Sequence, residues 1–153
     1  MSHSIAVARE EDLGDLLVLM RAYCDFYEAA PGDEALLSLS RALLLEPRLE
    51  GLQLIAWEPA SNEAVGFATI FWSWDTTEGA RVGIMNDLFV APSARGSGLA
   101  DRLIEECARH CAERGAVRLE WVTAPENERA QAVYERSGAT REPWLVYALA
   151  TPR

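Results

Sequence analysis

Asp87-Leu88-Phe89-Val90-Ala91-Pro92, followed by Arg95-Gly96-Ser97-Gly98-Leu99-Ala100, is the stretch on which the fold turns. An apolar strand end, a proline stop, a glycine-rich turn and the first turn of a helix follow one another. A helix start leaves backbone N–H groups without intrahelical acceptors. Glycines let an anion approach those groups with no side chain in the way. The stretch reads as a phosphate cradle at a helix N-terminus, with Arg95 adding charge beside it. It has no Gly-Lys-Ser or Gly-Lys-Thr as in a Walker loop. Its glycine spacing also differs from the dinucleotide fingerprint, which opens an early βαβ unit.

Working outward, Arg81 to Val90 reads as a long central strand. Strict alternation places Val82, Ile84, Asn86, Leu88 and Val90 on one face, and Gly83, Met85, Asp87 and Phe89 on the other. Gly98 to Arg114 carries Leu99, Leu103, Ile104, Cys107, Ala108 and Cys111 at helical spacing, and Gly115 stops it. Upstream, a short strand from Ile5 to Ala8 is followed by helices from Leu13 to about Tyr27 and from Glu34 to Leu45. Strands Leu52 to Trp57 and Val65 to Trp72 form a hairpin about the Pro59–Glu63 turn. Downstream come a strand from Val117 to Val122, a short helix from Asn127 to Arg136 and a closing strand from Trp144 to Leu149. The order is β-α-α-β-β-β-α-β-α-β. It predicts a single α/β domain over residues 1–153, a mixed sheet flanked by helices.

The chain of 153 residues is long enough to bury a core, and half its residues are apolar, which excludes disorder. Its formal net charge of -10 argues against nucleic-acid binding and suits a cationic small molecule, or serves solubility alone. No apolar run reaches the length of a membrane span. The start Met1-Ser2-His3-Ser4 shows no basic-then-apolar leader, so a cytoplasmic protein is expected. Cys24, Cys107 and Cys111 make an odd set, which argues against a disulfide scaffold. Cys107 and Cys111 share a helix face, but no histidine completes a zinc set, so no metal site is expected.

The second motif is Asn127-x-x-Ala130-x-x-x-Tyr134-x-x-x-Gly138-Ala139. It puts an amide and a phenol on one side of the later helix. By itself Asn127 fits a helix cap and Tyr134 fits amphipathic packing. Taken with the first motif, the chain resembles the GNAT acetyltransferases, which move acetyl from acetyl-coenzyme A to an amine. The family signature of Arg or Gln, two residues, Gly, one residue, then Gly or Ala is matched by Arg95-Gly96-Ser97-Gly98-Leu99-Ala100. The resemblance covers nearly the whole chain and is strongest from Val65 to Ala148. In appearance it leans toward the polyamine and basic-amine branch.

The resemblance implies a GNAT-like acyl-CoA N-acyltransferase fold with acetyl-CoA as cofactor. It implies that Arg95, Gly96, Ser97, Gly98, Leu99 and Ala100 hold the pyrophosphate. Leu88, Phe89 and Val90 would pair with the pantetheine arm, at a gap where the central strand splays from the Val117 strand. Asn127 would meet the cofactor arm, and Tyr134 would face its sulfur as general acid. The acceptor would lie among the first two helices and the loop before the central strand, with Tyr27, Glu28, Trp72, Asp75 and Trp121 as binding residues. A homodimer is implied as well.

Asn86 and Asp87 are the remaining catalytic candidates. The spermidine/spermine branch carries an acidic pair at these positions, and here the first acid is missing. Asn86 is read as orienting a water. Asp87 is read as binding an ammonium, or equally as a structural carboxylate bonded to loop N–H groups, and the general base is left open between the carboxylates. The expected reaction is acetyl transfer to a primary amine of a polyamine, diamine or lysine-like amino acid. The alternatives are a protein or peptide lysine, an N-terminus or an aminoglycoside, and a non-catalytic coenzyme A-binding sensor.

Overall fold

The computed structural model describes residues 2–153; Met1, the head of the leader reading, lies outside them. The chain forms two compact units, residues 1–122 and 123–153. In the first, β1 (Ser4–Val7) precedes α1 (Leu13–Phe26) and α2 (Asp33–Leu45). Then come β2 (Gly51–Trp57), β3 (Ala64–Asp75), β4 (Ala80–Val90), α3 (Leu99–Arg114) and β5 (Ala116–Glu120). The five strands lie in sequence order in one sheet. The first four are antiparallel, and β5 runs parallel to β4 after the α3 crossover.

Helices cover both faces of this sheet. On one face, Leu13, Leu16, Leu19 and Met20 of α1 pack with Ile55, Phe67 and Phe89. On the other, α3 buries Leu99, Leu103, Ile104, Cys107 and Cys111. Glycine makes that second contact close. A Cβ on Gly66 would stand 3.2 Å from Leu99 and 3.4 Å from Leu103, and one on Gly83 would overlap the Cys111 sulfur.

The central strand departs from strict alternation. Thr69 is the Cα partner of Asp87, but Ile70 is the partner of Met85, so Asn86 is an extra residue on β4. Such a bulge reverses the facing of everything beyond it. Gly83 and Met85 face α3, while Asp87 and Phe89 face α1 and α2, which corrects the expectation of one shared face. Asn86 Nδ2 also donates to Asp87 Oδ1 at 3.1 Å, a contact that neighbours on a regular strand do not make.

The second unit contains α4 (Glu128–Arg136). The elements up to α4 follow the expected order, but the closing strand Trp144–Leu149 is not formed. Its run of apolar, β-favouring residues prompted the expectation. A strand also needs a partner edge, and a segment's own composition cannot supply one. Trp144, Leu145, Val146, Tyr147 and Leu149 are instead exposed. Among the described residues, no helix is long and apolar enough to cross a membrane.

Candidate active site

Two glycines shape the loop that opens α3. Gly96 (φ +76°) and Gly98 (φ +83°) both take left-handed backbone that favours glycine. Gly98 caps α3 with no side chain, and the first helical bond back to its carbonyl comes from Arg102, at 3.2 Å. The N–H groups of Leu99 and Ala100 therefore lie in the first turn, where no helical acceptor exists. A Cβ at Gly96 or Gly98 would meet nothing within 4 Å, so the space before the loop is open. These features fit a diphosphate. Arg95 folds back instead, its Nε donating to the Val90 carbonyl at 3.1 Å.

The end of β4 fits an extended cofactor arm. Pairing with β5 runs through Arg81↔Ala116, Gly83↔Leu119 and Ile84↔Glu120, and it stops there. Beyond Ile84, β4 is paired on its β3 side. Ala91 donates to Val65 at 2.8 Å. Alternation along an antiparallel ladder then turns Phe89 toward β3 and points the N–H and C=O groups of Leu88 and Val90 outward.

Beside this edge lies Asp87, half-buried at the bulge. Asn86 Nδ2 donates to its Oδ1 at 3.1 Å, and the Thr69 hydroxyl and the Tyr23 phenol are the other polar groups that act on it. Burial pushes the Asp87 pKa above the usual carboxylate value, and those three groups partly offset the rise. Tyr23 also reaches the Asn86 carbonyl at 3.4 Å. Burial, then the Asp87 charge, raises the Tyr23 phenol, which stays protonated. Its ring stands edge-on to Phe67 at 5.9 Å and is tilted against Tyr27 at 5.0 Å. Tyr23, Thr69 and Asp87 thus meet on one face, with exposed Phe26 and Tyr27 at the rim.

The other expected acceptor residues are spread out. Glu28 is exposed with a positive φ of 55° just beyond α1. Trp72 is only 8 % exposed and donates its indole N–H to the Pro47 carbonyl at 2.9 Å, which makes it part of the packing. Asp75 pairs with Arg118 and accepts from Thr77 Oγ1 at 2.6 Å and from the Thr77 N–H at 2.8 Å. These bonds hold its carboxyl well below the usual range. Trp121 is half-buried just past β5. In the second unit, Asn127 caps α4 by accepting from the Ala130 N–H at 3.2 Å. Tyr134 stands two turns further along α4 and is half-buried. Thr69 and Gln53 were not singled out from sequence. The available signal was a polar residue inside each of two apolar runs, Leu52-Gln53-Leu54 and Ala68-Thr69-Ile70.

A family model, Acetyltransferase (GNAT) family, matches residues 16–139. The chain belongs to this family. It is an acetyl-CoA-dependent N-acetyltransferase. Among its relatives is an uncharacterized N-acetyltransferase, YhfO, of Bacillus subtilis, 29 % identical over 97 % of this chain and 98 % of the relative. The thialysine N-epsilon-acetyltransferase of Bos taurus is 24 % identical over 88 % of this chain and 82 % of its own. A solved structure of an aminoglycoside N-acetyltransferase, AAC(6')-Iy, in complex with CoA superposes with a TM-score of 0.83. It is 23 % identical and covers 97 % of this chain and 95 % of its own, a likeness of fold.

Proposed function

We propose that this acetyltransferase acts on the primary amine of a small, multiply charged cation, with Asp87 as the group that binds and deprotonates it. A half-buried carboxylate at the bulge, beside an open strand edge, is the observation that carries this reading. An alkyl ammonium has a pKa of about 10, so freeing its lone pair at neutral pH costs about 4 kcal/mol. Burial raises the Asp87 pKa toward that of the amine and makes it a better base than an exposed carboxylate.

Acetyl-CoA supplies the activated acetyl thioester. The Gly96–Gly98 loop and the first N–H groups of α3 hold its diphosphate, and the outward N–H and C=O of Leu88 align its arm. The Val90 N–H is a donor for charge developing on the acetyl oxygen. Tyr134 donates its phenol proton to the leaving sulfur, and Asn127 supports the cofactor arm; both assignments rest on the Asn127–Tyr134 run. Tyr27, Glu28 and Trp121 complete the acceptor site, and Asn86 orients a water. We include in the proposal a single GNAT-like domain over residues 1–153, a homodimer and a cytoplasmic location.

An aminoglycoside-type acceptor comes first. The AAC(6')-Iy fold match supports it, as do carboxylates spread over α1, its end and α2 (Asp25, Glu28, Glu34), which suit amines set far apart. A lysine-like amine is the second reading, supported by the bovine relative. Thiol release from acetyl-CoA is to be measured against aminoglycosides, thialysine, lysine, polyamines, diamines and basic peptides. Saturable turnover on an aminoglycoside is the expected result. Turnover confined to thialysine or lysine moves the assignment to the second reading, and turnover confined to peptides overturns both.

A further inference from the structure

Three buried polar side chains lie in the core behind Asp87. Ser40 of α2, Gln53 of β2 and Thr69 of β3 are 1 %, 4 % and 0 % exposed. They are bonded in one direction. Ser40 Oγ donates to Gln53 Oε1 at 2.7 Å, and Gln53 Nε2 donates to Thr69 Oγ1 at 3.0 Å. The Thr69 oxygen is therefore occupied as an acceptor from behind, which leaves its proton for the group in front. That group is Asp87, the Cα partner of Thr69 across the ladder. Met20 Sδ borders the chain, 3.5 Å from Gln53 Nε2 and 3.8 Å from Ser40 Oγ.

A buried polar chain is costly unless every member is satisfied, and an apolar set at these three sites would fill the same space. The two bonds that link its members, Ser40 to Gln53 and Gln53 to Thr69, both run toward the carboxylate, while Met20 Sδ takes the remaining Gln53 N–H. We propose that Thr69 is a positioning residue for Asp87, and that Gln53, itself oriented by Ser40, fixes the direction in which the Thr69 hydroxyl donates. The chain holds the carboxylate in one orientation and favours its charged form against burial. The catalytic consequence rests on the reading of Asp87 as base. The titratable groups that feel Asp87 are Tyr23 and Cys24 of α1, both raised mainly by burial and also by its charge. β3 presents Thr69 and β4 presents Asn86.

The test is a carbon-13 NMR titration of the Asp87 side-chain carboxyl in the wild-type protein, Thr69→Val, Thr69→Ser and Gln53→Met, with folding checked by thermal melting. It does not depend on turnover. Loss of one donated hydrogen bond is expected to move the midpoint up by about one pH unit in Thr69→Val. A smaller rise is expected in Gln53→Met, and Thr69→Ser should restore the wild-type value. An unmoved midpoint in folded Thr69→Val overturns the proposal. A shift in Thr69→Val with none in Gln53→Met overturns the role of Gln53. Should Thr69→Val not fold, the Gln53→Met midpoint decides alone. The acidic limb of kcat/KM follows the same shift if Asp87 is the base. A shifted midpoint with an unshifted limb upholds the positioning role and refutes the base assignment.

Discussion

Thr69 and Asp87 face each other across the β3–β4 ladder, one residue beyond the point where Asn86 breaks its register. Without that extra residue Asp87 would face α3, among apolar side chains. With it, the carboxylate reaches Tyr23 and Thr69 on the opposite face. The bulge is thus the local feature that turns Asp87 from the α3 face to the α1 face.

The cradle predicts a conformational cost at Gly98. A Cβ there meets nothing within 4 Å, so Gly98→Ala introduces no clash, but it forces a side chain into left-handed backbone. The expected loss is about 1–2 kcal/mol. It should emerge as a raised KM for acetyl-CoA or a lowered melting temperature, with kcat little changed. An unchanged KM and melting temperature would contradict the requirement for glycine.

Gly83 should be intolerant for a steric reason. A Cβ there would overlap the Cys111 sulfur and stand 3.1 Å from Trp72. Overpacking of this kind costs about 1–3 kcal/mol, so Gly83→Ala should melt earlier. Cys111→Ala in the same chain should return part of the loss, because the obstructing sulfur is gone. Additive losses in the double variant would show that the pair is not in contact.

The three thiols are expected to be inert. Burial pushes Cys111 up to about 11 and raises Cys107 and Cys24 as well, so little thiolate exists near neutrality. Titration with a disulfide reagent at pH 7.5 (about a unit or more below every thiol) should be slow for the native protein and fast in denaturant. Treatment with iodoacetamide should leave turnover intact. Rapid inactivation would point to a covalent cysteine route.

Tyr134 gives a separable prediction. If its phenol donates a proton to the leaving sulfur, Tyr134→Phe should lower kcat by about 10²-fold with KM little affected. A raised KM at unchanged kcat would assign it to binding.

Much of the sheet and its helices was legible in the sequence, because apolar periodicity and the glycine stops at Gly98 and Gly115 are local signals. The glycine turn and the helix start behind it were legible for the same reason. The facing of Asp87 was not, since one inserted residue reverses a strand and leaves no mark in composition. Trp72 and Asp75 looked available for a ligand because an aromatic and an acid near a turn suit a cation. Only the folded chain brings Pro47 to one and Arg118 to the other. Composition alone prompted the Trp144–Leu149 strand, which is not formed.

The pH dependence of kcat/KM for the best amine, in the wild-type protein and in Asp87→Asn, tests the central claim most directly. An acid whose pKa is raised by burial stays protonated to higher pH, so the base form is lost as pH falls through a value above 3.8. The account predicts an acidic limb above that value in the wild-type protein. In Asp87→Asn it predicts turnover reduced by about 10²–10⁴-fold, with that limb gone. Wild-type turnover and an unchanged limb in Asp87→Asn would contradict it.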